Sequence, residues 1–135
     1  MISLNANPAG ALKDVLTTKG VTTKIYINGE TPSSGLPSEF IDINQNGSMS
    51  SLGSQLGTGT ARCNLLVSIY VKLLSTDTVN YVKENAILGV FQSLFESTVV
   101  KSGFSFTIDK DRMVYSGKSI ISGYSTKILN IKVNF

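Results

Sequence analysis

The chain has 135 residues, with no histidine and a single cysteine, Cys63. Those two counts remove most catalytic and metal-binding chemistry. Ser–His and Cys–His pairs need an imidazole base, and imidazole or clustered thiolates are the usual zinc ligands. A lone cysteine also leaves no internal disulfide. Paired carboxylates are the remaining route to general acid–base work, and Asp109 with Asp111 is the close pair. They flank Lys110 in a segment that reads as a turn, and turns recruit Asp for its local backbone hydrogen bonds. Gly53 to Gly59 is glycine-rich, but no Lys-Ser/Thr follows and the next pattern is a strand. A phosphate loop needs the N–H groups of a helix N-terminus, so the match fails on context. Asn46-Gly47-Ser48 has the form of a glycosylation acceptor, yet Met1-Ile2-Ser3-Leu4-Asn5 carries neither the basic start nor the apolar run of a secretory signal. The expectation is a non-enzyme with no cofactor and no metal, made in a reducing compartment.

The elements behind those residues centre on Arg62–Leu74. Cys63, Leu65, Val67, Ile69, Val71 and Leu73 are apolar at every second position, with Arg62, Asn64, Leu66, Ser68, Tyr70 and Lys72 between them. Period two over this length predicts a strand with one buried face, because successive side chains point to opposite sides. Cys63 falls on the buried face. Thr78–Glu96 then predicts a helix. Val79, Val82, Ala86, Val90 and Leu94 recur at helical spacing with Ile87, Phe91 and Phe95 beside them. Lys83, Glu84, Gln92 and Glu96 take the wet side, and Asp77 or Thr76 is the expected N-cap.

Upstream, Asn7-Pro8 opens a short helix with Leu12, Val15 and Leu16 as its stripe and Gly20 at its end. Val21–Ile27 alternates as a strand, Asn28-Gly29 turns the chain, and Phe40–Ile43 is a short strand. From Asn44 to Thr60 the composition falls to Gly, Ser, Asn, Gln and Thr around Met49, Leu52 and Leu56. A loop of that length in a small domain is usually functional or disordered. The sharper expectation is an arm that orders against a neighbouring subunit. Downstream, Phe104, Phe106 and Ile108 point inward, Asp109–Asp111 turns the strand, Met113–Tyr115 starts its return, and Ser116–Lys118 is a second turn. Gly123 bends the last segment, where Leu129, Ile131, Val133 and Phe135 alternate. The expected fold class is α+β: an antiparallel or mixed β-sheet with two helices packed on one face, in the order α-β-β-β-α-β-β-β. It forms one domain over residues 1–135, with a flexible loop or arm at 44–60.

The net charge of +3 comes from basic residues spread along the chain rather than grouped in a block, which reads as a solvated surface. No run approaches the eighteen or so apolar residues of a membrane span. On the outer face of the sheet, Leu66, Tyr70, Tyr26 and Tyr124 interrupt polar positions. Apolar groups there predict an interface, with Arg62 and Lys72 as rim contacts. The candidate contact set is Met49, Leu52, Leu56, Arg62, Leu66, Tyr70 and Lys72. A reading from another class is a basic sheet that binds single-stranded nucleic acid by stacking bases on Tyr26, Tyr70 and Tyr124.

The order of elements resembles the tail-terminator and tail-completion proteins of tailed bacteriophages and the related head–tail connector proteins. It comprises a short N-terminal helix, a strand, a long loop, a long alternating strand, a helix after Thr76-Asp77-Thr78, and paired C-terminal strands. Ala61–Phe95 carries the likeness most strongly, and no short signature motif is involved. The resemblance implies a virion structural protein made in the host cytoplasm. It would assemble as a ring with itself, commonly a hexamer, and cap the tail tube or join it to the neck and portal-side proteins. DNA would pass through the lumen without sequence-specific binding, and no membrane would be involved. The 44–60 segment would reach a neighbouring subunit or ring.

Overall fold

The structure is a computed structural model, and it describes residues 7–52, 60–96, 98–108, 114–118 and 121–134. Helix α1 spans Pro8–Thr18, and the Asn7 side chain accepts a hydrogen bond from the Gly10 N–H at 3.1 Å. Pro8 sits where a missing N–H costs nothing. The helix closes as the sequence predicts, with Gly20 at φ +92°. The Gly20 N–H reaches the Thr17 carbonyl and the Val21 N–H reaches the Leu16 carbonyl. That double bond pattern holds Val21 to the helix end, and strand β1 starts later than expected, at Lys24–Ile27.

Strand β2 is Glu39–Leu52 and β3 is Thr60–Lys72. The region from Asn44 onward, expected as a loop, is therefore strand as far as Leu52. Asn44, Gln45 and Asn46 pair with Leu66, Leu65 and Asn64. Paired backbone satisfies N–H and C=O groups whatever the side chains are, so a polar composition did not forbid a strand. A bulge between Asn46 and Ser50 breaks the register before Ser50, Ser51 and Leu52 pair with Arg62, Ala61 and Thr60. Leu56 lies outside the described residues.

Helix α2 spans Tyr81–Leu94 and is capped by Asn80, whose side chain accepts from the Lys83 N–H at 3.3 Å. Asp77 and Thr76 do not cap it. Asp77 is at φ +60° in a tight turn, where its N–H bonds to the Leu74 carbonyl and the Leu74 N–H bonds to the Thr78 carbonyl. The Thr76 hydroxyl is spent on that of Thr78, at 2.8 Å. The buried face also differs from the predicted one. Glu84, Ile87 and Phe91 turn inward, while Val82 and Val90 stay exposed.

Four strands follow: β4 (Val99–Lys101), β5 (Phe104–Ile108), β6 (Val114–Lys118) and β7 (Tyr124–Asn134). The expected order is met, with the short β4 added. β4 and β5 form a hairpin in which Lys101 opposes Phe104 across Ser102 and Gly103, at φ +53° and +82°. Two residues with positive φ give the turn that matches strand twist. The sheet runs β1-β2-β3-β7-β5-β4, with β6 also on β7; among the described strands the β1–β2 pair is parallel and the others antiparallel. β3 occupies one edge of β7 along its whole length, so β5 and β6 must share the other. Both run antiparallel to β7 and hence in the same direction as each other. Val114 and Tyr115 therefore run in the β5 direction and are not the return expected at Met113–Tyr115; Met113 itself lies outside the described residues. Residues 109–113, including Asp109 and Asp111, lie outside the described set. Ser116–Lys118 belongs to β6 rather than to a turn.

Both helices cover one face. Leu12 and Leu16 of α1, with Ile87 and Phe91 of α2, share a core with Ile41, Ile43, Leu65, Val67, Ile69, Phe106, Leu129 and Ile131. Phe104 and Phe106 point inward as expected, and Cys63 is buried.

Candidate functional site

The outer face of the sheet is the surface that the helices leave uncovered. Register places Lys24, Phe40, Tyr70 and Thr126 side by side on one rung, and two residues further along β1 and β2 lie Tyr26 and Asp42. The central residue is Phe40, fully buried although it faces away from both helices. Its ring stacks on Tyr70 at 4.7 Å with 12° between planes, and Tyr26 and Tyr124 meet it edge-on at 5.8 and 5.5 Å. These separations suit offset-stacked and edge-to-face rings, where positive edges meet negative faces. Lys24 Nζ adds a cation 5.5 Å from the centre of the Tyr26 ring.

Residues 28–38 close this second, smaller core. A parallel pair needs a crossover between its strands, and this short one is tied down across the outer face. Asn28 and Gly29 turn the chain with φ +47° and +81°. The Gly29 N–H donates to Asn44 Oδ1 at 2.9 Å, and Thr31 Oγ1 donates to Asp42 Oδ1 at 2.7 Å. At the far end of the crossover, the Tyr124 hydroxyl donates to the Pro37 carbonyl at 2.6 Å. Burial pushes the Tyr70 phenol above its ordinary pKa, and the negative charge of Asp42 adds to the rise.

The structure thus brings Arg62, Leu66, Tyr70 and Lys72 onto one face of β3, as the alternation predicts, but it gives them different surroundings. Arg62 and Lys72 are exposed at the two ends. Leu66 is half-buried opposite Asn130, itself buried. Tyr70 is spent on Phe40. Met49 falls within the bulge of β2 and Leu52 beyond it. The ring stack leaves little for a nucleic acid base: Tyr124 is buried and one face of Tyr70 is occupied. Phe40 was missed as the organiser of this face. Its signal was parity, since Phe40 and Asp42 alternate with Ile41 and Ile43, so an apolar Phe must sit on the face with Asp.

On the helix side, a groove of about 610 Å³ runs between α2 and the sheet, floored by Leu88, Phe91, Phe95 and Leu129 with Asn85 and Gln92 among its lining residues. One residue before Asn85 on α2, Glu84 is fully buried. The Ser125 hydroxyl lies 3.1 Å from Glu84 Oε2 and 3.3 Å from the Val71 carbonyl, and Glu84 Oε1 has no protein partner among the described residues. Burial also pushes the Cys63 thiol above its ordinary pKa, which disfavours the nucleophilic thiolate. Among the described residues, no group of three or more His, Cys, Asp or Glu is placed to hold a metal ion. No described helix is long and apolar enough to cross a membrane. Against known proteins, the chain matches no family model and no curated sequence.

Proposed function

We propose that this protein is a ring-forming structural subunit of a phage virion, a tail terminator or tail-completion protein that caps the tail tube at the head–tail junction. A neck connector ring is the near alternative. The observation that carries the reading is the β2–β3 ribbon. Among the described residues, β1 pairs with β2 as far as Ile43 and β7 pairs with β3 as far as Arg62, while β2 and β3 stay paired to Leu52 and Thr60. Beyond Ile43, β2 is an edge strand, and the Ser51–Ala61 and Leu52–Thr60 rungs run past the β7 pairing as two strands alone, which gain little stability on their own. Such a ribbon is useful when it is laid against something else. A neighbouring subunit or an adjoining ring supplies that support, and the contact is heterologous, with one patch on each copy meeting a different patch on the next until the ring closes. The exposed Arg62 and Lys72 stand at the ends of the same β3 face, where rim contacts belong.

The test is imaging of the purified full-length chain, alone and mixed with tail tubes. Closed rings, or density capping tube ends, are expected. A monodisperse monomer that forms no ring and leaves tube ends bare refutes the proposal. Binding to single-stranded DNA that falls steeply with salt would favour the nucleic-acid reading instead.

A further inference from the structure

Two Asn-Gly pairs occur in the chain, Asn28-Gly29 and Asn46-Gly47. This dipeptide is open to attack on the asparagine by its own backbone. The nitrogen of the following residue bonds to the side-chain amide carbon, and glycine leaves that approach unhindered because it has no Cβ. A five-membered succinimide forms with loss of ammonia. In a folded chain the attacking N–H must be free to give up its proton, and the peptide must be free to rotate toward the side chain. Both asparagines are exposed, so access to water does not separate them.

The fold separates them instead. The Gly29 N–H, which would attack Asn28, donates to Asn44 Oδ1 at 2.9 Å. The turn around it is held on both sides. The Asn28 N–H donates to the Ile43 carbonyl at 2.9 Å and the Glu30 N–H to the Ile27 carbonyl at 3.1 Å. An N–H that already has an acceptor, in a peptide pinned at either end, is badly placed to attack. Asn46-Gly47 sits in the opposite setting. Asn46, opposite Asn64, is the last residue to pair before the register of β2 breaks, and pairing resumes at Ser50 opposite Arg62. Gly47, Ser48 and Met49 therefore span what Cys63 alone spans on β3. A bulge leaves its extra residues out of the ladder and lets the strand bend. Among the described residues β1 pairs with β2 only as far as Ile43, so β3 is the one neighbour of the bulged stretch. Local opening is easiest where a strand has few partners.

We infer that Asn46 is a site of spontaneous modification, converted through a succinimide to aspartate and isoaspartate, while the Asn44 side chain protects Asn28. Hydroxide takes the Gly47 N–H proton, the nitrogen bonds to Asn46 Cγ, and the side-chain nitrogen leaves as ammonia. Water then opens the ring at either carbonyl, giving aspartate or the isomer whose main chain runs through the former side chain. Either product puts a carboxylate on the outer-face rung that holds Asn64 and Lys132. The isomer also lengthens the backbone of the β2–β3 ribbon by one carbon. The inference rests on the bulge and the Asn44 contact, and it is independent of the ring proposal.

The test is peptide mass mapping of the full-length chain after incubation at mildly alkaline pH, folded in buffer and unfolded in urea. In the folded chain the amide-to-acid mass increase is expected to accumulate at Asn46 about tenfold faster than at Asn28, the scale of one hydrogen bond held closed. In urea the two rates should converge, because both sites are then the same dipeptide in an open chain. Asn44→Ala frees the Gly29 N–H and should speed conversion of Asn28 in the folded protein. An Asn46 that keeps its amide in the folded chain while converting in urea overturns the inference, and so does an Asn28 that converts as fast as Asn46 when folded. Should Asn44→Ala fail to fold, the comparison of the two sites in the unaltered chain still decides.

Discussion

Replacing Phe40 by alanine tests whether the outer-face cluster is a core in its own right. Phe40 is wholly buried, stacked on Tyr70 and met edge-on by Tyr26 and Tyr124. Removing a buried phenylalanine costs about 3–5 kcal/mol from lost transfer energy and the cavity left behind. The lost ring contacts push the value toward the upper end, since each is worth roughly 0.5–1.5 kcal/mol beyond area. About 4 kcal/mol is a large part of the roughly 5–15 kcal/mol that holds a domain together. With a urea slope of about 2 kcal/mol/M, the midpoint should fall by about 2 M. The chain has five tyrosines and no tryptophan, so tyrosine fluorescence follows the transition and reports directly on the cluster. Phe40→Leu keeps most of the burial but loses the ring geometry, and should cost about 1–2 kcal/mol. Val100→Ala, at a site 68% exposed, is the control and should barely move the midpoint. If Phe40→Ala shifts stability by less than about 1 kcal/mol, the outer face is an open surface after all, and its tyrosines are available to a partner.

Three further expectations concern single contacts. Tyr124→Phe removes the 2.6 Å bond to the Pro37 carbonyl and should cost about 1 kcal/mol in a urea melt, with faster amide exchange in residues 28–38. Ser125→Ala removes the hydroxyl beside Glu84 and should cost about 2–3 kcal/mol, as a buried carboxyl is left without its partner. Adding Glu84→Leu to that variant should recover much of the loss, and additive losses in the double-mutant cycle would refute the pairing. Buried Cys63 should resist thiol reagents in the folded protein and react at once in urea. Its pKa is raised by folding, so above the ordinary thiol value the unfolded chain has lost a proton that the folded one keeps. Stability from this group is therefore present below that value and falls as pH rises through it. Cys63→Ala should flatten that alkaline decline in the urea midpoint.

Much of the fold was legible because short-range patterns carried it. Alternation from Cys63 to Leu73 dictated which side of β3 is buried, and Asn7-Pro8 with Gly20 bounded α1 through local hydrogen bonds and φ alone. Where local pattern misled, two local solutions competed and tertiary packing chose between them. Around Thr76-Asp77 the capping residues were equally suited to a tight turn, and the turn formed. In Asn44–Leu52 a sequence without apolar alternation became strand because β3 offered backbone partners on both sides of the bulge. α2 carries apolar residues on two sides, and helical period alone cannot say which side meets the sheet. The anchoring of Glu84 beside Ser125 of β7 goes with the Ile87–Phe91 side turning inward, and Val82 and Val90 are left facing out. The Phe40 cluster needed the third dimension most. Its four rings lie far apart along the chain, and only the β1–β2–β3–β7 register and the crossover folded over them place them in contact.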